Sequence, residues 1–103
     1  MKRITLICAA GLSTSLLVTK MQEAAEKLGE KVIIRALAES KFKEYENDTD
    51  VLLLGPQVGF LLKKYKETYE PKGIYVSVID SIDYGMMDGE KVLRKALEKN
   101  INK

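Results

Sequence analysis

The chain has 103 residues, 46% of them hydrophobic and 31% charged, with 17 basic and 15 acidic side chains giving a formal charge of +2. That length supports one domain with an unstapled core, and the interspersed charges exclude a nucleic-acid binder built on a basic stripe. There is no histidine, no tryptophan and one cysteine, which removes the usual general base, the usual phosphohistidine, the commonest metal ligand and any internal disulfide. No metal or cofactor site is expected.

The apolar runs are far shorter than the roughly 20 residues of a membrane helix, and no signal-peptide architecture precedes the first strand pattern. A lone thiol at a loop edge also suits a reducing compartment. These features together predict a cytoplasmic protein that does not itself span a membrane.

In chain order, "RITLIC" (3–8) reads as the first strand, bounded by a loop of small residues. Leu17, Met21, Ala24 and Leu28 then recur at helical spacing after "STS", and Gly29 stops them. The hydroxyls supply a cap at one end and the glycine a cap at the other, with the start placed at Thr14 or Ser15. "KVIIRALA" (31–38) is the second strand. The polar stretch 39–49, relieved by Phe42 and Tyr45, is either a short helix or an ordered loop.

"DVLLLG" (50–55) is the third strand, after which Pro56 opens a helix carrying Val58, Leu61, Leu62, Tyr65 and Tyr69 on one face. Pro71 and Gly73 end it. "IYVSVID" (74–80) is the fourth strand, and a last helix places Val92, Leu93, Ala96 and Leu97 together with Asp88 as its cap. Strands alternating with helices imply right-handed crossovers. The expected fold is therefore α/β: a four-stranded parallel sheet of order 2-1-3-4 with helices on both faces, flavodoxin-like, in one domain over 1–103. In such a sheet ligands bind at the carboxyl ends of the strands, where the strand order reverses.

Cys8 stands at that end. The segment Ala9, Ala10, Gly11, Leu12, Ser13, Thr14 and Ser15 then forms an anion cradle, with small residues leaving backbone N–H groups accessible and a helix start adding its positive dipole. The same field favours thiolate, which makes Cys8 a nucleophile suited to phosphorus. The plainer alternative is a small core hydrophobe beside an ordinary helix cap. The strand-end position, the small-residue loop and the helix start together favour the chemical reading.

The pattern resembles the phosphate loop of low-molecular-weight tyrosine phosphatases, in which five residues separate the cysteine from an arginine and a hydroxyl residue. Counting from Cys8 reaches Thr14 and Ser15; the hydroxyl is kept and the arginine is missing. Those phosphatases also use a late aspartic acid to protonate the leaving group. Asp80 and Asp83 follow the fourth strand, where carboxylates serve as acids or, more commonly, as caps and turn formers. Phosphohydrolysis is the alternative function, weakened by residue 14.

A loop that accepts phosphate without positioning water suits a carrier. The segments "CAAGLSTSLLV" (8–18), "DVLLLGPQV" (50–58) and "VIDSIDYGMMDGEKVL" (78–93) resemble the IIB components of the bacterial phosphoenolpyruvate-dependent sugar phosphotransferase system, of the lactose/cellobiose (chitobiose) family. The likeness runs along the whole chain. It implies a cytoplasmic phosphocarrier in which Cys8 takes phosphate from a phosphohistidine of a IIA protein. The acceptor it implies is a disaccharide bound at a IIC membrane permease. Gln57 is expected either to flank the cysteine loop or to be an ordinary exposed glutamine. Tyr84 is a candidate auxiliary or partner contact, and Met86 and Met87 are either partner-facing or core.

Overall fold

The computed structural model describes residues 2–7 and 11–98, the first four of the second stretch by backbone alone. Four strands, β1 (Lys2–Ile7), β2 (Val32–Leu37), β3 (Val51–Leu54) and β4 (Tyr75–Val78), form one parallel sheet in the order β2-β1-β3-β4. The order is the one expected; each strand is shorter than its apolar run or offset from it by a residue. Among the described residues four α-helices accompany them: α1 (Gly11–Leu28), α2 (Leu62–Tyr69), α3 (Ser81–Gly85) and α4 (Gly89–Glu98).

Strand side chains alternate between faces, and so the sheet has two cores. Ile4, Leu6, Val51 and Leu53 point to one face and pack with Leu17, Met21, Ala24 and Ala25 of α1 and Val92, Leu93 and Ala96 of α4. Ile7, Leu52, Leu54 and Val76 point to the other, against Phe42, Val58, Leu61 and Tyr65. Thr5 of β1 is a buried polar residue. Its hydroxyl is paired with that of Thr49 at 2.8 Å, and Thr49 donates to the Tyr45 carbonyl at 2.9 Å, which satisfies the buried groups.

The helix ends follow local chemistry. Gly29 takes φ +73 after α1, and the Glu30 N–H reaches back to the Ala25 carbonyl at 2.9 Å, a glycine-terminated helix end of the expected kind. Asp88 accepts from the Lys91 N–H at 3.1 Å and caps α4 as expected.

Of the local expectations, one open choice is decided, one changes, and one element is added. The stretch Glu39–Asp48 winds as a 3-10 helix, pinned by Phe42, whose ring meets Tyr69 edge-on at 5.0 Å. The helix expected from Pro56 divides into a 3-10 segment Pro56–Leu61 and α2, with Val58 off helical angles (φ −116, ψ 24). Val58 is β-branched and Gly59 follows it, both poor helix formers, while burial of Val58 and Leu61 demands a tighter turn. Finally α3, too short for a periodic signature, is nucleated by Asp80.

Candidate functional site at the carboxyl end of the sheet

β1 ends at Ile7 and α1 begins at Gly11. Cys8, Ala9 and Ala10 fall between them and lie outside the described residues. The helix thus starts three or four residues before Thr14 or Ser15, and Gly11, Leu12, Ser13, Thr14 and Ser15 belong to it rather than to a loop. Serine and threonine fit a first turn as well as a cap, so their presence alone does not mark the boundary. The first four N–H groups of an α-helix have no partner within it. Within α1 those donors are the N–H groups of residues 11–13, next in the chain after the three residues that follow β1.

The other strands bring their own following segments to this end. Leu54 is in register with Ile7, and the Gly55 N–H donates to the Ile7 carbonyl at 2.8 Å. Gln57, two residues further, is exposed in the 3-10 segment that follows β3. Beyond β3, the Ile79 N–H donates to the Leu54 carbonyl at 2.8 Å, which delivers Asp80 to the same edge.

The two aspartates after β4 are committed to structure. Asp80 accepts from the N–H groups of Ile82 at 2.8 Å and Asp83 at 3.4 Å, and these bonds hold its carboxyl below the usual range. A carboxylate kept ionised in this way is a weak proton donor near neutral pH. Asp83 is 3% exposed and faces α4, with Lys95 Nζ at 3.1 Å and Lys91 Nζ at 3.6 Å. Its hydrogen bond holds the Lys95 ammonium above its ordinary value. The capping and bridging roles win over general acid catalysis for both.

Tyr84, expected as an auxiliary contact, is buried in the core with Leu17, Met21 and Leu93. Ile82 of α3 and Met86, the residue that caps its C-terminal end, are four apart and both exposed, whereas Asp83 and Tyr84 are buried. Met86 is 73% exposed and Met87 is partly buried against the core, turning the chain at φ +53.

Two residues escaped the sequence reading. Phe60 is 79% exposed and Ile82 69%. Phe60 carried a signal: it is a large apolar residue out of step with the Val58, Leu61, Leu62 and Tyr65 stripe. Among the described residues, no group of three His, Cys, Asp or Glu is placed to hold a metal, and no helix is long and apolar enough to cross a membrane.

Residues 3–95 match the family described as "PTS system, Lactose/Cellobiose specific IIB subunit". The chain belongs to that IIB family. This IIB chain is 44% identical over 102 residues to the oligo-beta-mannoside-specific EIIB component of Bacillus subtilis strain 168, with 99% of each chain covered. It is 46% identical over 100 residues to the cellobiose-specific EIIB component of Lactococcus lactis subsp. lactis, covering 92% of this chain and 93% of the relative. The galactose-specific EIIB component of Lactococcus lactis subsp. cremoris matches at the same identity and coverage.

Among solved structures, the cellobiose-specific IIB protein of Borrelia burgdorferi superposes with a TM-score of 0.80 at 42% identity, covering 99% of this chain and 94% of that one. The lactose-specific IIB domain of Streptococcus pneumoniae gives 0.84 at 22% identity, with 94% and 95% covered. At that identity the likeness speaks for the fold alone. The same holds for a YwlE mutant of Bacillus subtilis, at 0.59 and 18%, with 96% and 100% covered.

Proposed function

We propose that this IIB chain is a cytoplasmic phosphocarrier whose Cys8 thiolate takes a phosphoryl group from a phosphohistidine on a IIA partner. In that step the P–N bond breaks, an S–P bond forms, and the imidazole leaves. Phosphocysteine then passes the group to a hydroxyl of a disaccharide of the cellobiose or chitobiose type held by a IIC permease: the S–P bond breaks, an O–P bond forms, and the hydroxyl proton is released. The chain is thereby a protein-phosphocysteine–sugar phosphotransferase. It requires no cofactor, because each transfer is positioning plus charge stabilisation.

In this reading the cradle is Ala9, Ala10, Gly11, Leu12, Ser13, Thr14 and Ser15, with N–H groups from the first turn of α1 facing the phosphoryl oxygens. The observation that carries it is the chain geometry: β1 stops at Ile7 and α1 starts at Gly11, so residue 8 is one step past a central strand and three short of a helix N-terminus. Family membership adds the partners. Gln57, exposed in the segment that follows the neighbouring strand β3, is read as a contact for one of them.

The test is a reconstituted system. With phosphoenolpyruvate, the general phosphotransferase proteins and a matching IIA, the chain takes up one phosphate, and a Cys8→Ser variant takes none. Adding membranes that carry the IIC together with cellobiose or chitobiose discharges it. A phosphoprotein that forms but is never discharged to any disaccharide contradicts the onward step. Hydrolysis is the weaker reading, because Thr14 stands where the phosphatases have arginine and both aspartates after β4 are otherwise engaged.

A further inference from the structure

We propose that Glu70, tied by Lys66, closes the open edge of the sheet and so keeps β4 from pairing with β4 of a second copy of this chain, independently of any phosphate exchange at Cys8.

β4 is an edge strand: among the described residues β3 lies on one side of it and no strand on the other. Its inward groups are identified by their partners. The Tyr75 N–H donates to the Asp50 carbonyl at 3.0 Å and the Ile79 N–H to the Leu54 carbonyl at 2.8 Å. Successive residues of a strand alternate in this direction, so Val76 and Val78 aim their N–H and C=O groups away from the sheet. A row of outward donors and acceptors is a template for another strand.

The template has the symmetry to pair with itself. An antiparallel arrangement about a two-fold axis at Ser77 sets Val76 opposite Val78 of the second copy, and each such pair exchanges two hydrogen bonds. The strand reads Tyr-Val-Ser-Val, without the proline or charge that blunts many edges. A contact between four-residue strands buries less than the roughly 1,200 Å² of a stable complex. The pairing is therefore weak, and one well-placed side chain suffices to prevent it.

Glu70 is that side chain. The Val76 N–H donates to Glu70 Oε2 at 3.4 Å, and the same oxygen accepts from Lys66 Nζ at 3.0 Å. α2 ends at Tyr69, and the turn at Gly73, with φ +91, sends the chain back into β4. Lys66 Nζ also lies 5.3 Å from the centre of the Tyr75 ring, so the ammonium spans from the helix to the strand. An ordinary i,i+4 pair satisfies Lys66 without approaching any backbone. The second bond of Glu70, to an N–H six residues on, is what closes the edge.

The experiment reads amide hydrogen exchange at Val76 and Val78 by NMR, and association by sedimentation, on the full chain from about 0.1 mM to about 1 mM. Unfolding midpoints confirm that each variant is folded, and Glu70→Ser is measured beside Glu70→Ala. The wild type is expected to be monomeric throughout. Glu70→Ala raises the Val76 exchange rate about tenfold at the lower concentration, for loss of one charge-assisted hydrogen bond. At the upper concentration it dimerises, and both amides become protected. Glu70→Gln keeps an acceptor and stays monomeric, whereas Lys66→Ala unties the carboxylate and raises the Val76 rate about threefold.

An unchanged Val76 rate in the alanine and serine variants overturns the contact. Variants that remain monomeric at the upper concentration overturn the guard. So does a dimer in which Val76 and Val78 still exchange freely, because it forms elsewhere, and so does a wild-type chain that pairs through β4. Dimerisation of Glu70→Gln overturns closure by hydrogen bonding, and an unchanged Val76 rate in Lys66→Ala overturns the role of the lysine.

Discussion

Gly89 is pressed against the backbone of Lys20: a Cβ built on it would stand 2.5 Å from the Lys20 carbonyl carbon and 2.6 Å from the Met21 nitrogen. α4 crosses α1 here with no room for a side chain, and the obstacle is backbone, which cannot rotate away. Gly89→Ala is expected to lower stability by about 2 kcal/mol, at the level of overpacking a tight core, although alanine is the better helix former. Urea unfolding measures it, and a stabilised variant would contradict the close approach.

Phe42 anchors the 3-10 stretch between β2 and β3. It is 1% exposed, with its ring 6.4 Å from that of Tyr65 and 5.0 Å from that of Tyr69. Phe42→Ala is expected to cost about 3–5 kcal/mol, the range for emptying a buried aromatic site. A loss below about 1 kcal/mol would show that this segment is a dispensable surface loop.

The Arg3–Asp50 pair predicts a pH dependence of stability. Asp50 accepts from Arg3 Nη2 at 3.0 Å, Arg3 Nε at 3.1 Å and the Arg3 N–H at 2.8 Å. Its hydrogen bonds with Arg3 hold its carboxyl below the usual value despite partial burial. A group depressed in the folded state contributes stability above its unfolded pKa, about 3.9, and that contribution is lost as pH falls through the folded value. Urea midpoints measured from pH 6 down to about pH 2.5 are therefore expected to fall less steeply for Asp50→Asn than for the parent chain. Parallel curves would contradict the pairing.

Hydrolytic activity separates a carrier from a phosphatase. The isolated chain is expected to show no turnover of an aryl phosphate, because residue 14 is threonine and Asp80 is held ionised as the cap of α3. Thr14→Arg, which restores the side chain that grips a phosphoryl group in the phosphatases, is expected to make that turnover detectable. Activity in the unmodified chain would favour the hydrolase reading.

The sheet order was legible because four apolar runs alternate with helical stripes, and right-handed crossovers leave few ways to arrange them. The two aspartates illustrate where that legibility ended. Capping was the plainer expectation for carboxylates after a strand, and Asp80 follows it. That Asp83 turns inward to Lys91 and Lys95 could not be read locally, because α4 supplies those partners. Tyr84 and Met86 likewise needed the helix phase of α3, which five residues are too few to reveal by periodicity. The start of α1 at Gly11 was hidden for a different reason: Ser13, Thr14 and Ser15 suit a cap and a first turn equally. Cys8 was read from its neighbours alone and rests on that sequence context together with the ends of β1 and α1.

The central claim is that the phosphoryl group is carried on the Cys8 sulfur. The chain charged by phosphoenolpyruvate, the general phosphotransferase proteins and IIA is digested and the modified peptide sequenced by mass spectrometry under conditions that preserve thiophosphate. The expected result is a single phosphate on Cys8, protecting that thiol from alkylation until the group is discharged. Phosphate on Ser13, Thr14 or Ser15 with Cys8 still open to alkylation would contradict it.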